Sequence, residues 1–221
     1  MELAPQDALP LALAAWCHGI RGAHFFTTRP DMEKATAAGL ARRAAQLGSS
    51  DPRVEALLGA AHTLSHDLAT ATVHFERALA LDGGCVWAWI RSGWVNVYRG
   101  QTSEAIERFQ IARSLDPTDS LTFFCSIGMA AANFEVGRYE KAADWFARGI
   151  AEHPQAVWSN RFRAPALVLA GKKDEARQSY IDLLGVYPEL TIAQVRSALP
   201  HTTRFYDCAA EGLAALGMRL E

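Results

Sequence analysis

The sequence is poor in the features that mark secreted, membrane-spanning or nucleic-acid-binding proteins. It has four cysteines among 221 residues and no CxxC pair, so a disulfide framework is not indicated, and we expect reduced, mostly buried thiols. The formal net charge of -2 gives no basic field that would attract nucleic acid. No stretch reaches the roughly 18 apolar residues needed to span a membrane. We therefore predict a cytoplasmic protein that binds neither nucleic acid nor a membrane.

The sequence also lacks a motif for catalysis or for binding a cofactor. Neither a Gly-rich phosphate loop nor a GxSxG motif occurs. His62 and His66 lie four residues apart on a predicted helix, a spacing that can chelate a metal, but a third ligand is not apparent, so we interpret them as packed or capping residues. His18, His24 and His74 have no partner by spacing. We predict that the chain is not an enzyme and holds no cofactor or metal.

A pattern of small and apolar residues, each followed by a turn, recurs along the chain. These anchor residues are 34 residues apart, with one gap of 37: Ala44, Ala78, Ala112, Gly149 and Leu183. An alanine lies seven residues before every anchor, and an aromatic residue lies three before each of the last four. Proline follows three anchors by five residues, at Pro117, Pro154 and Pro188, where it would end a helix. The period predicts stacked helical hairpins.

These positions resemble the tetratricopeptide (TPR) repeat, which has the same period of 34 residues. Val86–Asp119 is the best match, although Ser92 and Asn96 replace the usual Leu and Tyr of its first helix. The resemblance implies an all-α, right-handed TPR-type α-solenoid that forms a single domain over residues 1–221. We expect a degenerate or capping helix pair over 8–51, four repeats over 52–190, and capping helices over 191–221.

A narrower resemblance concerns the stretches 87–100, 166–176, 187–200 and 211–221. They look like the C-terminal repeat region of bacterial multidomain signalling proteins, which carry a class III adenylate cyclase or a winged-helix DNA-binding domain at the N-terminus. The resemblance implies that the chain is the C-terminal part of a longer protein. No cyclase motif and no winged helix is present in these residues.

In TPR proteins the first helix of each repeat lines a concave groove. The resemblance therefore places an aromatic and apolar surface with interleaved arginines at ten positions: Trp87, Ile90, Arg91, Trp94, Tyr98, Phe124, Ile127, Phe134, Trp158 and Arg161. Trp, Tyr and Arg dominate the binding energy of many interfaces. We predict a protein-interaction scaffold that binds a helix or an extended apolar peptide, with four aromatic anchors: Trp87, Trp94, Phe124 and Trp158.

Two alternatives to this surface stay open. Some of the aromatic residues would be buried between repeats, or covered by the N-terminal helix or by the tail. The chain would instead act as a regulatory or dimerising domain whose partner is a second copy or another domain of the same protein. Pro165 falls inside a predicted first helix, where we expect it to kink the helix.

Overall fold

The computed structural model describes residues 7–24 and 27–221. In this described part the chain forms twelve α-helices and one short 3-10 turn, with no β-strand. The all-α prediction is therefore confirmed. The elements are α1 Ala8–Ala23, α2 Pro30–Leu47, α3 Pro52–Leu64, α4 Leu68–Leu81, α5 Val86–Tyr98, α6 Thr102–Leu115, α7 Phe123–Glu135, α8 Tyr139–Glu152, the 3-10 turn Ala156–Ser159, α9 Asn160–Leu169, α10 Lys173–Val186, α11 Ile192–Ala198 and α12 Thr203–Ala215.

The chain divides into two compact units. The N-terminal unit comprises Met1–Val95 with Ala198–Pro200, and the C-terminal unit comprises Asn96–Ser197 with His201–Glu221. Their boundary lies within α5. A single continuous domain over residues 1–221 stays a prediction.

The predicted repeats correspond to pairs of neighbouring helices. In the N-terminal unit α1 packs on α2 and α3 packs on α4, and in the C-terminal unit α7 packs on α8 and α9 packs on α10. The three extra residues of the longer repeat lie in the link between α6 and α7, which spans 116–122, whereas the link between α4 and α5 spans 82–85. The insertion therefore leaves the helices intact.

The repeated small residues and rings form the core that the pattern predicts. All five alanines that precede the anchors are buried: Ala37, Ala71, Ala105, Ala142 and Ala176. In the N-terminal unit Gly59 allows the ring of Phe75 to approach so closely that a Cβ atom on Gly59 would lie 2.7 Å from it. In the C-terminal unit Gly128 of α7 meets the ring of Phe109 of α6, in the preceding hairpin, and a Cβ atom on Gly128 would lie 2.2 Å from that ring. Small residues therefore set the distance between neighbouring helices.

Helix ends follow the turn chemistry of the sequence. Each of the prolines Pro117, Pro154 and Pro188 comes two residues after a helix ends. Pro30 is the first residue of α2, a position where its missing N–H costs nothing. The expectation that the thiols are mostly buried is wrong, because only Cys125 is buried and Cys17 is exposed.

We expect Gly128→Ala to destabilise the protein by about 1–3 kcal/mol, because the added methyl group would overlap the buried Phe109 ring. Gly39→Ala is the matched control, since Gly39 lies inside α2 and a methyl group added there would meet no atom within 4 Å. It should stabilise the protein by about 0.5–1 kcal/mol through helix propensity. Urea denaturation followed by circular dichroism measures both changes, and an equal shift in the two variants would contradict the packing described.

Candidate partner-binding site

Three histidines lie close to carboxylates: His18, His62 and His74. Spacing along the chain indicated no partner for His18 or His74, whereas in the structure His74 Nδ1 lies 2.7 Å from the carboxylate of Glu55 and His18 Nδ1 contacts the carboxylate of Glu33. Spacing along the chain missed these pairs because each partner comes from the neighbouring helix of a hairpin. His62 Nδ1 lies 3.4 Å from the carboxylate of Asp67.

Two classes of site find no support in the described residues. No group of three or more His, Cys, Asp or Glu side chains there is arranged to hold a metal ion. None of the described helices combines the length and the apolar character that a bilayer crossing requires. An open cavity of about 520 Å³ lies beside the turn between α7 and α8, where Tyr139 and Lys141 line it. None of the ten predicted binding residues lines this cavity.

Seven of the ten predicted binding residues are buried. They are Ile90, Arg91, Trp94, Tyr98, Ile127, Phe134 and Arg161. The other three, Trp87, Phe124 and Trp158, are half-buried. The expected exposed aromatic surface is therefore mostly interior in this conformation, whereas its role in binding a partner stays a prediction.

In the N-terminal unit the first helix covers part of this surface. Trp16 of α1 meets Trp87 edge to face, with ring centroids 5.4 Å apart. Both indoles pack against the core that contains Ala56 and Ala60 of α3, whose small side chains leave room for the rings. The guanidinium of Arg91 lies 5.2 Å from the centre of the Trp87 ring, within the range of a cation–π contact. In this unit the N-terminal helix therefore covers one of the predicted aromatic residues, as the first of the two alternatives to an exposed surface proposed.

In the C-terminal unit the tail covers the predicted surface. We call the α12 seat the surface formed by five residues of α5, α7 and α9: Tyr98, Phe134, Arg161, Phe162 and Pro165. The Phe205 ring of α12 lies 4.7 Å from Phe134 and 5.0 Å from Phe162. His201, just before α12, lies 4.7 Å from the ring of Tyr98. The first helices of successive repeats therefore hold one helix through ring contacts.

One glycine in α12 and one proline in α9 explain how closely these two helices approach each other. A Cβ atom on Gly212 would lie 2.4 Å from Cβ and 2.5 Å from Cα of Pro165. Pro165 lies inside α9, which runs from Asn160 to Leu169. The kink that we expect at this proline stays a prediction. Pro165 thus serves as a flat contact surface for the backbone of α12.

Polar contacts fix the start of α12. The hydroxyl of Thr202 accepts a hydrogen bond from the backbone N–H of Phe205 at 3.1 Å, which caps the helix. The same hydroxyl donates to the carboxylate of Glu135, the last residue of α7, at 2.8 Å. The Tyr139 hydroxyl donates to Cys208 Sγ at 3.4 Å. The register of α12 on its seat is therefore set by side chains from α7 and α8.

The centre of the α12 seat holds two buried basic groups. Arg161 is 2% exposed and His201 is 8% exposed. The guanidinium of Arg161 lies 5.1 Å from the centre of the Phe162 ring and 5.5 Å from that of Trp158. Burial, together with the positive charge of Arg161, lowers the pKa of His201 well below its usual value. Among the described residues neither ring nitrogen of His201 has a hydrogen-bond partner, so the seat holds a neutral imidazole.

The sequence of α12 has an amphipathic pattern that predicts a helix but not its packing partner. The buried residues of this helix are Phe205, Tyr206, Ala209, Gly212 and Leu213. Their spacing of one, three and four residues forms a single helical stripe. The pattern predicts a capping helix over this region. It does not predict that this helix lies on the first helices of the repeats, because the period of a stripe does not identify its packing partner.

We expect the protein to lose stability as the pH falls below about 6.5, the ordinary pKa of histidine. In the folded chain the pKa of His201 is lowered, so the unfolded chain binds the proton first and is stabilised by it. This group contributes at most about 1.4 kcal/mol per pH unit, down to its folded pKa. The measurement is the free energy of unfolding between pH 8 and 5.

His201→Leu should reduce this dependence on pH, because leucine does not titrate. The pKa values of His62 and His66 are also lowered by burial, so the variant is expected to retain a smaller loss of stability in acid. Equal slopes for the wild type and the variant would contradict a neutral His201 in the seat.

Comparison with known proteins gives similarity at the level of the fold. No protein-family model matches the chain. The chain is 30% identical over 157 residues to human Superkiller complex protein 3, an alignment that covers 67% of the chain but 9% of that protein. The structure of PilW, a type IV pilus biogenesis factor, superimposes on this chain with a TM-score of 0.65 at 16% sequence identity. The match covers 93% of this chain and 92% of the PilW chain.

A third similarity is to Cut9 in the hetero-tetramer Cut9–Hcn1 of the APC/C. Its TM-score is 0.63 at 19% identity, and the match covers 76% of this chain and 34% of the other. The chain thus spans about a third or less of two of these proteins. PilW and Cut9 are TPR solenoids. Together with the 34-residue period and the helix pairs, they show that the chain has the fold of a tetratricopeptide-repeat protein.

Proposed function

We propose that the chain is a protein-interaction scaffold that binds a helical or extended apolar segment of another protein on the first helices of its repeats. The α12 seat supports this proposal, because these helices already hold a helix by contacts between rings. Cut9, a structural neighbour, occurs in a complex with a protein, Hcn1. We propose no catalytic step on this chain.

The ten residues of the sequence prediction divide by their accessibility. Phe124 and Trp158 in the C-terminal unit, and Trp87 in the N-terminal unit, are half-buried and so keep surface that a partner can contact. Trp158 lies over the guanidinium of Arg161, which orients its ring and lowers the entropy lost when a partner binds. The buried Arg91 likewise lies against the ring of Trp87.

Trp158→Ala is expected to weaken partner binding by about ten-fold or more, the effect typical of an aromatic residue at the centre of an interface. Proteins that co-purify with the chain from its source cells would first be quantified by mass spectrometry. The affinity of the purified partner for each variant would then be measured. Circular dichroism and thermal melting of the variant exclude unfolding as the cause of a loss.

Ile181→Ala is the matched control for this experiment. Ile181 lies on α10, a second helix of a repeat, and 61% of its surface is exposed, so it is accessible but outside the proposed surface. The same partners should bind this variant with unchanged affinity. If Trp158→Ala and Ile181→Ala bind every partner equally well, the proposed surface is wrong.

A second candidate function is that of a regulatory or dimerising domain at the C-terminal end of a larger bacterial signalling protein, an adenylate cyclase or a winged-helix regulator. The observation that favours it is the α12 seat itself, because a surface that binds a helix of its own chain is suited to binding a copy of that helix. Sedimentation velocity over a range of concentrations tests this function. A chain that stays monomeric at all concentrations would leave no support for dimerisation.

A further inference from the structure

We propose that α12 is a displaceable resident ligand of its seat, and that the seat accepts in its place an amphipathic helix of another protein with the same arrangement of side chains. This inference rests on the proposed function and specifies the class of partner. The partner helix would carry an aromatic pair, then small residues at the fourth and seventh positions after its first ring, and a leucine at the eighth. This is the arrangement of α12, which has Phe205, Tyr206, Ala209, Gly212 and Leu213.

The contacts of α12 define this chemistry. The rings at its start pack between Phe134 and Phe162, so the partner needs an aromatic residue at that place. Gly212 meets the backbone of Pro165 at a distance that excludes a side chain, so the partner needs glycine or a similarly small residue there. The opposite side of α12 is polar, with Arg204, Asp207 and Glu211 exposed, and it does not take part in the seat. The seat therefore specifies the side chains along one stripe of the partner helix and leaves its other faces unspecified.

The docking of α12 includes an unfavourable contact. Both ring nitrogens of His201 are buried without a hydrogen-bond partner among the described residues, and a buried polar atom in this state lowers the net gain from docking. The ring of His201 stacks on the ring of Phe205, with the centroids 3.9 Å apart. The nitrogens of His201 therefore stay buried for as long as the segment that contains both rings is docked in the seat. A partner helix that has an apolar residue in place of His201 would avoid this cost.

The link to α12 gives the resident helix an advantage over a free helix. Residues 199–202 join α11 to α12, and such a short tether holds α12 near its seat at a high effective concentration. A helix added in trans therefore competes poorly with the wild-type chain. A variant of the full chain whose own α12 does not fit the seat should bind the free helix more tightly.

Gly212→Ala provides that variant. The new methyl group would overlap Cα and Cβ of Pro165, and a backbone atom does not move away by a change of rotamer. Alanine is a better helix former than glycine, so α12 itself stays helical and only its docking is weakened. Gly185→Ala is the matched control in the same unit, because a methyl group added at Gly185 would meet no atom within 4 Å.

The experiment measures the fluorescence anisotropy of a labelled peptide with the sequence of residues 200–217, titrated with the full chain. We expect the Gly212→Ala chain to bind the peptide about ten-fold or more tightly than the wild type or Gly185→Ala does, since the tethered competitor is weakened. A peptide that itself carries Gly212→Ala should bind none of the three chains. A folded Gly212→Ala chain that does not bind the native peptide would overturn the proposal.

Hydrogen exchange on the wild-type chain provides a test that needs no variant. An excess of unlabelled peptide should displace the resident helix, so the amides of α12 should exchange faster while those of α7 and α9 stay protected. Unchanged exchange in α12 at saturating peptide would count against a displaceable ligand, even if Gly212→Ala fails to fold.

Three further outcomes distinguish the possible occupants of the seat and separate the inference from the proposed function. A wild-type dimer that disappears in Gly212→Ala would assign the seat to α12 of a second copy, which overturns the assignment to another protein. If the peptide binds as expected but no partner depends on Trp158, the proposed function fails while the chemistry of the seat stands. If partners depend on Trp158 but the Gly212→Ala chain ignores the peptide, only the inference drawn from α12 fails.

Discussion

The close packing of small residues against aromatic rings is the constraint on which the rest of the structure depends. Gly59 against Phe75 and Gly128 against Phe109 bring neighbouring helices so close that one added methyl group has no room. A single helical hairpin leaves an apolar face that it does not bury itself, so repeats stack and the terminal elements cover what is left. The period of 34 residues in the sequence reflects the recurrence of these small and aromatic packing residues in each repeat.

The terminal helices determine which of the predicted binding residues are accessible to a partner. Trp16 closes over Trp87 in the N-terminal unit, and α12 closes over Phe134 and Phe162 in the C-terminal unit. The second closure brings His201 close to the buried Arg161, a combination that a purely apolar cover would avoid. Stability and access to a partner are thus opposed at this place, because whatever binds the seat has to replace contacts that the chain already makes.

The similarity to Superkiller complex protein 3, PilW and Cut9 defines the architecture and leaves the partner open. One helical scaffold serves different complexes because the side chains on its binding surface change while the packing residues stay. In this chain the distinguishing side chains are the arginines beside tryptophans, Arg91 with Trp87 and Arg161 with Trp158. The proposed preference for aromatic and apolar partners follows from these side chains and is a property of this sequence rather than of the fold.

The sequence by itself determined the helices and their pairing. The anchors at Ala44, Ala78 and Ala112, the alanines before them and the prolines after helix ends are local requirements of turns and close contacts, so they can be read along the chain. Only the tertiary structure decided which apolar stripes meet. The stripe of α12 was visible in the sequence, but its place on Phe134, Phe162 and Pro165 depends on the path of the link before it. The pairing of His74 with Glu55 was hidden for the same reason, because contacts between helices follow from distance in space and not from spacing along the chain.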